Sequence, residues 1–86
     1  MSLVDAASVL DDLAAGRTPD RATVIAGALA LDTLVQRGSA DRELLDAAAG
    51  LQMLATGGDL SLDATGRERA ATLAVAVRRA AALQER

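Results

Sequence analysis

Val24-Ile25-Ala26-Gly27-Ala28-Leu29-Ala30-Leu31 is the longest stretch of the chain free of polar side chains. Wound as a helix it is apolar or small around its whole circumference, and a helix of that kind is expected to be surrounded. Eight residues fall far short of the roughly 20 that a membrane span needs. The covering must therefore be protein. Three short partner helices can hardly enclose it, so the expectation is that one side meets its own bundle and another meets a second copy. Gly27 costs roughly 1 kcal/mol against alanine in a helix interior. Set between Ala26 and Ala28, it predicts a close helix crossing.

The composition around this stretch points the same way. Of the 86 residues, 21 are alanine, and the large apolar side chains are fourteen Leu, six Val, two Met and one Ile. Alanine and leucine have the best helix propensities. Phe, Tyr and Trp are absent, which leaves a sheet little to build with. The reading is all-α, one domain over residues 1–86. A core this small supplies only about 3–5 kcal/mol of net stability. Disulfides and Cys- or His-ligated zinc are excluded because neither residue occurs. Idealised helix packing and self-association remain as sources of stability.

Three glycine-marked breaks divide the chain: Gly16-Arg17-Thr18-Pro19, Gly38-Ser39 and Gly57-Gly58-Asp59. Each glycine stands where a helix end favours positive φ. Each break is followed by [Ser/Thr]-x-Asp: Thr18-Pro19-Asp20, Ser39-Ala40-Asp41 and Ser61-Leu62-Asp63. The hydroxyl is read as the N-cap, with Pro19 at the first helical position and the Asp facing the positive end of the helix dipole. Ser2 would cap the first helix in the same way. The expected helices are Leu3–Ala15, Pro19–Arg37, Ala40–Thr56 and Leu62–Glu85, a small four-helix bundle. Thr65-Gly66-Arg67-Glu68 also fits a capping box, which would start the fourth helix at Arg67 and leave Asp59–Gly66 as loop.

The other three helices are one-sided. The first carries Leu3, Ala7, Leu10 and Ala14, with Ala6 and Leu13 beside them. The third carries Leu44, Ala48, Leu51 and Ala55, flanked by Leu45 and Leu54. The fourth carries Ala70, Leu73, Ala74, Val77, Ala80 and Ala81.

Most site chemistry is excluded by missing residue types. Without His, Cys or Lys there is no Ser/His/Asp or Cys/His nucleophile, no Schiff base and no P-loop. Asp11 and Asp12 are adjacent and point about 100° apart on a helix, so they do not converge on a substrate. Asp59-x-Ser61-x-Asp63 has the oxygen spacing of a calcium loop, yet Ala64 stands where that loop needs Gly and Ala70 where it needs Glu. No enzyme, cofactor or metal is expected.

Charge is uneven. Residues 1–65 hold ten acids and four Arg, and residues 66–86 hold five Arg and two Glu. Arg67, Arg78 and Arg79 form a candidate charged rim, either for an acidic partner or for the acidic surface of a second subunit. A helix-turn-helix made by the second and third helices is the rival class. Its recognition helix would open with Asp41, Arg42, Glu43 and Asp46, which phosphates repel, in a chain of net charge −3.

The expectation is thus a non-enzymatic interaction or oligomerisation module, most simply a homodimer, working as adaptor, assembly element or regulator. Its interface would be Val24, Ile25, Ala28, Leu31 and Val35. Helix-turn-helix regulator and non-catalytic subunit of a larger enzyme or phage-type assembly are the alternatives. Met1-Ser2-Leu3-Val4-Asp5 does not read as a signal peptide, which suggests the cytoplasm. Exclusive use of Arg with abundant Ala suits a GC-rich bacterial genome.

Overall fold

The computed structural model describes residues 3–38 and 41–84. Among them are four helices and no strand: α1 (Leu3–Ala14), α2 (Arg21–Gln36), α3 (Arg42–Ala55) and α4 (Ala64–Gln84). The all-α bundle expected from the sequence is the observed fold. Ser2, Ser39, Ala40 and Glu85 lie outside the described residues.

The helix ends follow the glycines. Gly16, Gly38 and Gly57 all have positive φ, at 82°, 98° and 122°. At the end of α3 the Gly58 N–H donates to the Met53 carbonyl at 3.0 Å and the Gly57 N–H to that of Leu54. These two bonds satisfy carbonyls that the helix leaves without partners.

The helix starts differ from expectation, and all in the same direction. α2, α3 and α4 begin at Arg21, Arg42 and Ala64, two residues later than the hydroxyl caps would place them. The residue in the cap position is the aspartate. The carbonyls of Asp20, Asp41 and Asp63 accept the first i→i+4 bonds, from Val24, Leu45 and Arg67. The Asp41 carboxylate also accepts the Glu43 N–H at 2.9 Å, and that of Asp63 the Gly66 N–H at 2.7 Å. A carboxylate makes a charge-assisted bond to a free N–H and meets the positive end of the helix dipole, so it displaces the nearby hydroxyl. Asp20 holds the cap backbone conformation without a side-chain bond. Pro19 is left in the connection, and Thr65 and Glu68 fall inside α4 rather than capping it.

The helices form an antiparallel ring in chain order. α1 packs on α2 and α4, and α3 packs on α2 and α4. Directions follow from the contacts at the ends. Arg21, at the start of α2, donates to the carbonyls of Leu54 and Gly58 at the end of α3. The Gly16 end of α1 lies beside the Arg67 end of α4. α4 therefore packs within its own bundle, against α1 and α3.

The most enclosed helix is α1, not α2. Six of the twelve residues of α1 are buried, against four of the sixteen of α2. α1 runs between α2 and the long α4, and places Leu3, Ala6, Val9, Leu10 and Leu13 in one core with Val24, Leu31, Leu44, Leu51, Leu73 and Val77. α2 turns Val24, Gly27, Ala28 and Leu31 inward and leaves Ile25 42% and Leu29 57% exposed.

The close crossing expected at Gly27 is present. A Cβ on Gly27 would lie 3.2 Å from the Ala6 Cα and 3.5 Å from a Leu51 methyl. α1 and α2 meet backbone to side chain here, with no room for a larger residue. Gly27→Leu should lower the unfolding free energy by about 1–3 kcal/mol. Urea denaturation measures this, and a variant as stable as the parent would show that the two helices do not cross closely at that position.

Candidate functional site

The weakest join in the ring is α3 against α4. The two helices place small residues here, Ala47, Gly50 and Ala70 at one end and Ala76 and Ala80 at the other, beside leucines. The connection between them, residues 56–63, is eight residues long, against six and five for the other two. It does not force the helices to close.

The result is a seam that opens at both ends. At the end of α3 and start of α4 lies a groove of about 350 Å³. Its floor is Leu10 and Leu13 of α1, and its walls include Leu51, Leu54, Leu62 and Leu73. Met53 stands at its edge, 70% exposed. At the opposite end of the same seam is a second hollow of about 310 Å³ between Leu44 and Ala76, with Leu34 beneath, Arg79, Asp41 and Glu43 around it, and Leu83, 64% exposed, on its rim. Gly50 lines the larger groove, and nothing lies within 4 Å of where its Cβ would be.

Polar side chains border the seam and one pair spans it. Arg69 pairs with Asp46 across it. Arg78 of α4 pairs with Asp11 of α1, and this hydrogen bond, opposed by some loss of hydration, holds the guanidinium pKa above its ordinary value. Arg17 pairs with Asp12 at 2.9 Å. All three pairs are largely solvated and add little stability. The basic fourth helix thus meets the acidic first and third helices of its own chain. In the connection, Asp59 accepts the Ser61 N–H at 2.9 Å, so that Asp59 and Asp63, the two acids of the calcium-like spacing, both close backbone turns.

The residues singled out in the sequence do not gather into one surface. Val24, Ala28 and Leu31 are in the core of their own chain, Val35 is half-buried, and Ile25 alone of the five is exposed. α2 has α1 on one side and α3 on the other, and these take up the inward half of the girdle. Of the charged rim, Arg78 is paired, the Arg67 guanidinium lies over Gly16, and Arg79 stands at the mouth of the smaller hollow. The seam residues Gly50, Met53 and Leu83 went unnoticed in the sequence. Met53 carried a signal: it sits on the face of α3 opposite Leu44 and Leu51, where a large apolar side chain has no core to enter. Among the described residues, no helix is long and apolar enough to cross a membrane.

Comparison with protein-family models, with curated proteins and with solved structures finds no match to this chain. Its site is accordingly read from its own geometry.

Gly50→Ala should stabilise the dilute protein by up to about 1 kcal/mol, because alanine is the better helix former and the added methyl meets nothing. A fall in the thermal midpoint would show that the groove is closed over Gly50.

Proposed function

We propose that this protein is a non-enzymatic interaction and oligomerisation module that acts as a homo-oligomer, in the cytoplasm of a bacterium, as an adaptor, assembly element or regulator. The observation that carries the reading is the α3–α4 seam: an apolar groove, floored by core leucines, left uncovered on a bundle of only 86 residues. A domain this small gains from any further apolar burial, and association supplies it. The exposed Met53, Leu83 and Leu29 add to the apolar surface available to a partner.

The polar inventory supports association over catalysis. Near the seam Asp46 is in an ion pair, and Asp59 and Asp63 close backbone turns. The DNA-binding alternative gains no support from the arrangement of α2 and α3. They lie side by side and antiparallel, as in an αα-hairpin, whereas a helix-turn-helix crosses at about 90–120°.

Sedimentation equilibrium from low micromolar to near-millimolar protein tests the reading. The weight-average mass should rise from the chain mass of 8.7 kDa toward a multiple of it. A mass that stays at the single-chain value throughout would remove self-association from the proposal.

A further inference from the structure

Leu62 and Gly66, on either side of the Asp63 cap, both line the larger groove. We infer that the first turn of α4 is a two-position hinge on the groove wall. α4 starts at Ala64 under the Asp63 cap, and it can restart at Gly66 under a second cap, Thr65 with Glu68, that the chain already carries. The later start returns Ala64 and Thr65 to the connection and releases Leu62 from its fixed place on the wall.

The first turn is held by its cap and by little else. No side chain of α4 before Ala70 is buried. Two contacts that tie this end of α4 to the bundle are the Arg67 guanidinium over Gly16 and the Arg69–Asp46 pair. Both lie beyond Thr65 and are compatible with the later start. Residues 64–66 are fastened by Asp63, whose carboxylate accepts the Gly66 N–H at 2.7 Å and whose carbonyl accepts that of Arg67 at 2.9 Å.

The residue this cap must hold is a glycine, the poorest helix former after proline. A Cβ on Gly66 would lie 3.2 Å from both the Leu62 Cβ and the Asp63 carboxylate. Cap, glycine and Leu62 thus make one tight turn, and breaking the cap bond loosens Leu62 with it. At the later start Gly66 is the first residue of the helix and no longer an interior one, where its penalty applies.

The second cap is complete but idle. Thr65-Gly66-Arg67-Glu68 has the capping-box spacing, in which the hydroxyl accepts the glutamate N–H and the carboxylate accepts the threonine N–H. Both side chains are exposed. Among the described residues neither makes a side-chain hydrogen bond or ion pair, whereas the hydroxyls of Thr33, Thr56 and Thr72 each donate to the carbonyl four residues earlier. One capping side chain shifts a helix equilibrium by about fivefold. Exchanging one cap for the other therefore leaves the two starts close in free energy.

The test is a mutant cycle in the full chain, with Asp63→Ala, Thr65→Ala and the double variant read by backbone ¹³C shifts and urea denaturation. Asp63 and Thr65 are exposed, so no variant removes core packing. Helical shifts should begin at Ala64 in the parent. In Asp63→Ala they should begin at Gly66, with the Leu62 methyls more accessible to a soluble paramagnetic agent. Thr65→Ala in the parent should leave the start in place and the folding constant unchanged or raised by up to about threefold, because alanine is the better helix former. In the Asp63→Ala background the same substitution should lower the folding constant by about fivefold, with helical shifts lost past Glu68. Equal effects of Thr65→Ala in the two backgrounds would overturn the inference. So would an Asp63→Ala variant that keeps Ala64 and Thr65 helical, or one that loses helix past Glu68 although Thr65 is present. Leu62 methyls as protected in Asp63→Ala as in the parent would overturn the link between the helix start and the groove wall.

Discussion

The contact between Gly27 and Ala6 sets the geometry of the bundle. With no side chain on Gly27, the second helix comes close enough to the first that a single methyl would meet the Ala6 backbone at 3.2 Å. The first helix is held between the second and the fourth as a result. Drawing α1 inward concentrates packing on three joins of the ring. The fourth join, between α3 and α4, is the least closely packed, and a groove lined by leucines opens along it. Close packing in one place and an open groove in another share a core in which alanines stand among leucines and valines.

The same economy shapes the charges. Every ion pair among the described residues involves an arginine and an aspartate on the surface, and two of the three join α4 to another helix. Solvated pairs of this kind add little stability. They fix which helix lies beside which, and one of them, Arg69–Asp46, spans the α3–α4 seam. Arg21 does comparable work at the end of α3, where its guanidinium meets carbonyls at the negative end of the helix dipole.

What could be read from the sequence was local. Glycine at a helix end has a backbone reason that needs no tertiary context, and all three glycine breaks have the expected positive φ. The apolar stripes of α1, α3 and α4 face the core because helical periodicity decides them, with Leu45 the exception, left exposed at the edge of α3. The caps were placed two residues early because hydroxyl and carboxylate both fit the same short motif, and their relative strength decides between them. Of α2 only the close crossing at Gly27 was legible. Its apolar girdle fits a surrounded helix, yet burial is shared among four helices at once, and α1 took the central place. Met53 and Leu83 became a pair only when the fold set them at opposite ends of one seam.

If an open seam in the single chain is what drives association, the Met53 methyl is its most direct reporter. It stands 70% exposed beside the groove in the isolated bundle. In protein labelled with ¹³C at the methionine methyls, its signal and its accessibility to a soluble paramagnetic agent should move from exposed to protected as concentration rises, over the range in which the mass increases. A Met53 signal that is protected at the lowest concentration, or that stays exposed while the mass doubles, would contradict the central role given to the α3–α4 seam.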